Sequence, residues 1–244
     1  MKLGLCIAVM QFARSARSPA RLRLLYDSIV GQVSSIAIGY AGPPRGAGRI
    51  SDMMPEARVT ACAQSEDGWA KGAVLNAALD SLPDDIEIVV VGDMDFFYAP
   101  TYAKAVRGAI QDGAGCVLAQ AWMCPEGLPL PHTTPEDYEA LRSVSYAASR
   151  EHKGVQAFRA AWLRSARFDE GYQLWGGPDE EVVERARQDG LEIRWLDGGL
   201  CLHQWHTLKS DLAKDQSAYA FRRHANQARY KLLLEKGQGN HADY

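Results

Sequence analysis

Ile86–Pro100 reads IEIVVVGDMDFFYAP, an apolar run that stops at two carboxylates, Asp93 and Asp95, one residue apart. Ile86, Ile88, Val89, Val90 and Val91 have the pattern of a strand buried on both faces, which belongs in the middle of a parallel or mixed sheet. The two aspartates then sit at the carboxyl end of that strand, where open α/β sheets bind their ligands. Two carboxylates held this close repel one another unless a cation or a shared proton intervenes. A hard divalent ion shared with substrate phosphates, Mg2+ or Mn2+, is one such relief. A solvated turn after a strand accounts for the same triplet without chemistry, so the reading of DxD depends on the rest of the chain.

Outward from this stretch, apolar strands alternate with helical spacing. Leu3–Val9 reads as a first strand, Arg21–Val30 as a helix, Ser34–Tyr40 as a second strand and Val59–Ala63 as a third. Between the last two, Gly42–Gly48 (GPPRGAG) reads as a turn-rich loop that lacks the GxGxxG dinucleotide fingerprint. Trp69–Leu82 is helical and ends before Pro83, Tyr102–Gln111 is a further helix, and Cys116–Ala121 a further strand. The alternation predicts an α/β fold: one domain with a mostly parallel central sheet flanked by helices. Beyond Cys124 the chain is proline-rich. Pro135–Arg150 is predicted helical with Thr134 as its cap, Val155–Phe158 is a short strand and Ala160–Ser165 a short helix.

Two later stretches carry chemistry-bearing residues. In Phe168–Gly190, Pro178 at a first helical position, the acids Asp179, Glu180 and Glu181 in the first turn, and Gly190 at the end mark a helix whose buried side carries Val182, Val183 and Ala186. The helix dipole alone explains acids at that end. After a strand at Ile193–Leu196, the segment Leu200–His206 (LCLHQWH) puts His203 and His206 three residues apart, so that on a helix or turn both imidazoles share one side. They are candidate metal ligands together with the earlier carboxylates. A zinc site built from Cys201, His203 and His206 is the alternative.

Composition sets the outer limits. A chain of 244 residues buries a full core, and a net charge of -3 argues against a partner wrapped by bulk positive charge, nucleic acid above all. Five scattered cysteines without a CxxC pair fit a reducing, cytoplasmic compartment. The amino-terminal apolar run reads as a strand rather than a signal peptide, and no run approaches the roughly 20 apolar residues of a membrane span. The tail Ser210–Tyr244 is polar and helical, with arginines and lysines able to face solvent, substrate phosphates or the inner face of an anionic membrane.

In this order the motifs resemble a GT-A-fold (nucleotide-diphospho-sugar transferase) glycosyltransferase, most similar to the family 2 group whose C-terminal half resembles the galactosyltransferases and chondroitin-polymerising enzymes. Four segments carry the resemblance: Trp69–Leu79 (WAKGAVLNAAL), VVVGDMD ending at Asp95, Arg167–Leu191 (RFDEGYQLWGGPDEEVVERARQDGL) and His203–His206 (HQWH). It implies a catalytic domain over residues 1–209, with the nucleotide half ending at the DxD near residue 100 and the acceptor half following, and a helical tail over 210–244. It also implies a UDP-sugar donor, with Mn2+ or Mg2+ bridging the diphosphate to Asp93, Asp95, His203 and His206. Asp179 matches the general base of an inverting transfer of a hexosyl or N-acetylhexosaminyl group. Arg14, Lys71, Asn76, Asp93, Trp175, Gly176, Gly177 and Glu180 fall at donor- and substrate-binding positions. The acceptor hydroxyl is compatible with a glycan, a lipid-linked sugar, a protein side chain or a modified nucleobase.

The chain departs from that pattern at four places. Pro178 replaces an acid before the base, Lys71 stands where arginine is common, Ala166 and Arg167 replace a glycine pair, and the second strand ends at Gly39 and Tyr40 without a carboxylate. A nucleotidyltransferase shares the layout but calls for a glycine-rich basic loop after the first strand, where VMQFARSARS has arginines and no glycine. A non-catalytic sugar-nucleotide-binding domain would keep the Trp175 and glycine framework and lose the carboxylates, all of which are present here.

Overall fold

The structure, a computed structural model, describes residues 1–10, 18–62, 69–126, 134–148, 155–174, 177–204 and 216–239. In chain order the elements are β1 (Leu3–Met10), α1 (Ser18–Ile29), β2 (Ser35–Ala41), α2 (Pro44–Met53), β3 (Ala57–Cys62), α3 (Lys71–Ser81), β4 (Ile88–Asp93) and β5 (Phe96–Tyr98). Then follow α4 (Tyr102–Gln111), β6 (Cys116–Met123), α5 (Pro135–Val144), β7 (Tyr146–Ala147), β8 (Gln156–Arg159), α6 (Ala160–Ala166), α7 (Pro178–Gln188), β9 (Ile193–His203) and α8 (Gln216–Gly239).

The two-residue period of the strands sorts their side chains into two cores. On β1, Leu3, Leu5, Ile7 and Val9 face one side, where Leu22, Leu25 and Ile29 of α1 and Val106 and Ile110 of α4 cover them. Cys6 and Ala8 face the other side, against Val74, Leu75 and Ala78 of α3 and Val182, Val183 and Ala186 of α7. Strand β4 is split in the same way: Ile88 and Val90 belong to the first core, Val89 and Val91 to the second. The central apolar run is therefore buried on both faces, as its composition dictates.

Strands β3, β2, β1 and β4 pair in parallel, the arrangement that helical crossovers impose. From β4 onward the sheet is mixed. Strand β8 runs antiparallel to both β4 and β6, so β6 runs with β4, and β9 in turn pairs parallel with β6. Asp93, Met123 and His203, the last residues of β4, β6 and β9, consequently share one edge of the sheet. That shared edge positions the site.

Three local readings need correction. The glycine- and proline-rich stretch after β2 is not a loop, because α2 begins at Pro44, where the missing N–H costs nothing, and Ile50 anchors it in the core. The helix from Pro135 stops at Val144 instead of Arg150 and is followed by the edge strand β7. Thr134 caps it through the Asp137 N–H at 3.1 Å. Residues Leu200–His203 continue β9 instead of starting a helix or turn, past Gly198 (φ 88°), Gly199 (φ 67°) and a slip in the pairing with β6.

Helix α3 lies so close to β2 that a Cβ on Gly39 would overlap the Val74 carbonyl. Gly39→Ala is expected to force the two apart and cost about 1–3 kcal/mol. Gly48→Ala, on the open side of α2, is expected to be neutral or to add about 0.5–1 kcal/mol through helix propensity. Urea titration of both variants checks the pair, and equal stabilities would contradict the packing. Among the described residues no helix is long and apolar enough to cross a membrane, and all five cysteines are free thiols.

Candidate active site

Asp93 is the last residue of β4, and Asp95 lies in the tight turn to β5. Strand β5 pairs with the end of β9, setting Phe96 opposite His203. Their rings meet edge to face at 5.1 Å. The Gln204 N–H donates to the Asp95 carbonyl at 2.8 Å and fixes the chain just beyond the histidine to the same turn. The result brings His203 Nε2 within 3.5 Å of Asp95 Oδ2, both side chains largely buried. Two neighbouring ligands on one ion with bonds of about 2.1 Å lie about 3 Å apart, so this carboxylate–imidazole pair fits a divalent cation of the Mn2+ type.

Of the ligands of the alternative zinc site, Cys201 is fully buried in the apolar core, where burial pushes its pKa up to about 12 and its thiol donates to the Gln120 carbonyl at 3.7 Å, and His206 lies outside the described residues. Among the described residues no group of three or more histidine, cysteine, aspartate and glutamate side chains is arranged around one ion.

The second carboxylate of the DxD faces a different partner. Lys71, at the first turn of α3, reaches Asp93 Oδ1 at 2.8 Å and both oxygens of Asp179, Oδ1 at 2.8 Å and Oδ2 at 3.0 Å. Burial draws the Lys71 pKa down, but Asp179 and Asp93 together outweigh it and hold the ammonium above the ordinary lysine value. Burial likewise pushes Asp179 up; Lys71 opposes this, while Asp93 and Glu180 add to it, and the net direction is upward. One buried cation thus joins a carboxylate at the end of β4 to one in the first turn of α7.

Asp179 stands in the first turn of α7, whose N-cap Gly177 takes φ 106°, open to glycine and strained for other residues. Gln156 of β8 donates to the Asp179 carbonyl at 2.7 Å. Glu181 turns inward and pairs with Arg185 of the next turn, so it belongs to the helix and its core. The loop before α7 rests on the start of α3: a Cβ on Gly72 would strike the Asp169 carbonyl, and the Leu174 N–H donates to the Trp69 carbonyl at 2.9 Å. Asn76, which the resemblance assigns to donor binding, is buried with its amide spent on this loop. It donates to the Phe168 carbonyl at 3.0 Å and to Glu170 Oε1 at 2.8 Å, and accepts from the Phe168 N–H at 2.9 Å.

No family model and no curated protein matches this sequence. Solved structures do. Residues 1–349 of TarS from S. aureus superimpose with a TM-score of 0.59 at 14% identity, over 84% of this chain and 60% of that one. The same protein in complex with UDP-GlcNAc gives 0.59 at 13%, over 86% and 60%. Glucosyl-3-phosphoglycerate synthase from Mycobacterium tuberculosis, in complex with Mn2+, UDP and phosphoglyceric acid, gives 0.61 at 16%, over 97% of this chain and 78% of that one. The chain has the GT-A fold. It spans about 60% of the length of the TarS chain it matches.

In this GT-A chain the described expected site residues other than Asn76, which is committed to the loop before α7, fall into two groups at the same sheet edge. Asp95 and His203 form one, and Lys71, Asp93 and Asp179 the other, with Gly177 and Glu180 flanking the latter on α7. Arg14, Trp175, Gly176 and His206 lie outside the described residues. Sequence reasoning missed Gln156, although a lone glutamine inside the apolar run Val155–Phe158 is a visible signal for a buried polar role. It also missed that Lys71 bridges two acids 22 and 108 positions away in sequence, for which nothing local gives a signal.

Proposed function

We propose that the chain is a metal-dependent, inverting glycosyltransferase that moves a sugar from a nucleoside-diphosphate sugar, UDP by default, to an acceptor hydroxyl. The observation that carries this reading is the placing of Asp179, held by Lys71, next to the Asp93–Asp95–His203 edge, so that a candidate base and a candidate diphosphate site adjoin. The mycobacterial neighbour in complex with Mn2+ and UDP supports the choice of donor and ion. The order of the segments around Asp179 and His203 supports a C-terminal half of the galactosyltransferase and chondroitin-polymerase kind.

In this reading Asp95 and His203 would hold the ion, with His206, outside the described residues, as a further candidate ligand, and the ion when bound would supply Lewis acidity toward the leaving diphosphate. Asp179 takes the proton from the acceptor hydroxyl as its oxygen bonds to the anomeric carbon. The bond from that carbon to the diphosphate oxygen breaks, and its electrons leave with the diphosphate. Lys71 keeps the Asp179 carboxylate charged and aimed. A single base facing the carbon opposite the leaving group gives inversion.

Asp95→Ala is expected to weaken Mn2+-dependent UDP binding by at least about 10-fold and to leave binding in EDTA unchanged. Calorimetry with and without Mn2+ reads it, and unaltered Mn2+-dependent affinity would remove Asp95 from the metal site. In wild type, UDP with Mn2+ at about 100 times its dissociation constant adds about 2.7 kcal/mol of stability. A screen of UDP-, GDP- and CMP-sugars by thermal shift therefore identifies the donor.

A further inference from the structure

Helix α8 lies outside the motifs that point to catalysis, and its basic composition suggests a solvated or anion-facing surface. The structure buries one of its residues, Asn226, and lays a second, the half-exposed Arg229, over the same loop. Asn226 is 3% exposed, and its amide donates to the Gln173 carbonyl at 2.9 Å and accepts from the Gln173 N–H at 3.3 Å, pairing with that backbone as a neighbouring strand would. One turn further on, Arg229 grips Asp169 with two parallel bonds of 2.7 Å. Its guanidinium also lies 5.6 Å from the centre of the Tyr172 ring. The loop passes so close beneath that a Cβ on Gly171 would overlap the guanidinium.

These contacts lead to the base. The buried Tyr172 ring abuts Gly177, where a Cβ would run into it, and Gly177 is the N-cap of the helix that carries Asp179 two residues later. The loop itself bends through left-handed backbone at Arg167 (φ 59°) and Leu174 (φ 60°), conformations that non-glycine residues hold only when their surroundings impose them. On its other side it rests on α3 through Asn76 and Trp69.

We propose that α8 is a brace for the acceptor side of the site, with Asn226 and Arg229 as positioning residues that set the pose of the 168–174 loop and, through Tyr172 and Gly177, of Asp179. The proposal rests on the glycosyltransferase reading for its effect on turnover, but the brace itself is independent of that reading. It assigns Arg229 to Asp169 rather than to a membrane or a free phosphate. The reading places the diphosphate at the ends of β4 and β9, whereas the contacts of Asn226 and Arg229 described above are to the 168–174 loop.

The test uses the full chain as wild type, Asn226→Ala, Arg229→Met and Arg229→Lys. Hydrogen exchange is followed over residues 168–174, UDP·Mn2+ affinity by calorimetry, and turnover as hydrolysis of UDP-glucose or UDP-GlcNAc with water as acceptor. Asn226→Ala and Arg229→Met are expected to speed exchange in 168–174 and to lower kcat about 10- to 100-fold, with donor KM and UDP affinity within about twofold of wild type. Arg229→Lys, which keeps the charge and loses the fork, is expected to recover part of kcat. Wild-type exchange rates in both disruptive variants would overturn the brace, as would UDP affinity falling in step with turnover. A wild type that neither binds UDP nor turns over a UDP-sugar would sink the UDP-sugar form of the glycosyltransferase reading instead, and the exchange measurement would still decide the brace.

Discussion

Asp179→Asn is expected to lower transfer by about 10²- to 10⁴-fold, the usual worth of a general base, and to leave Mn2+-dependent UDP binding within about twofold. The substitution is close to isosteric. The remaining amide oxygen still accepts from Lys71, and the backbone carbonyl still accepts from Gln156, so the first turn of α7 keeps its place. In the proposed role, what is lost is the ability to take the acceptor proton. Because burial sets the Asp179 pKa above the ordinary aspartate value, and the base works only when ionised, wild-type turnover should fall on acidification before an ordinary aspartate would protonate. That acid limb should be absent from the residual activity of Asp179→Asn. Initial rates across pH, paired with UDP calorimetry, read both effects, and full activity in Asp179→Asn would end the assignment.

The fold was legible where its cause is local. The run Ile88–Val91 has no polar face and becomes a strand with both faces buried, and Pro178 with three following acids becomes the start of α7. Strand direction was not legible past β4, since β8 is four residues long and nothing in Gln156–Arg159 says which way it runs. Glycine content misled at α2. Gly46 weakens a helix in isolation, but in the fold it lies against the Tyr40 ring, where a Cβ would not fit, and the tertiary contact overrides the propensity. In the site, sequence order alone joined Asp95 to His203. The pairing of β5 with β9 is the physical reason they meet. The loop held by Asn76, Asn226 and Arg229 was invisible beforehand, because its partners lie on two helices far apart in the chain and are ordinary polar residues in the sequence.

Lys71→Met is expected to cost about 2–3 kcal/mol of stability at pH 7, a fall in Tm of about 4–12 °C for a domain of this size. Methionine fills the space of the lysine stem but leaves Asp93 and Asp179 facing one another without the ammonium. Losing one partner of a fully buried pair costs about 3–5 kcal/mol. The two carboxylates keep 21% and 24% of their side-chain surface in solvent, so the lower figure applies. The pH dependence separates this cause from lost packing. Without Lys71 the folded protein relieves the repulsion by keeping a proton on one of the two acids, whose folded pKa then lies above its unfolded value. Between those two values the folded state binds more protons than the unfolded chain, so stability rises as pH falls through that window. The deficit of Lys71→Met against wild type should therefore shrink between pH 7 and pH 5, whereas a packing defect would persist unchanged. Lys71→Arg, which restores a cation, should recover most of the loss. A deficit that stays constant with pH would show that Lys71 acts as a spacer and that the charge bridge between the two halves of the site carries little.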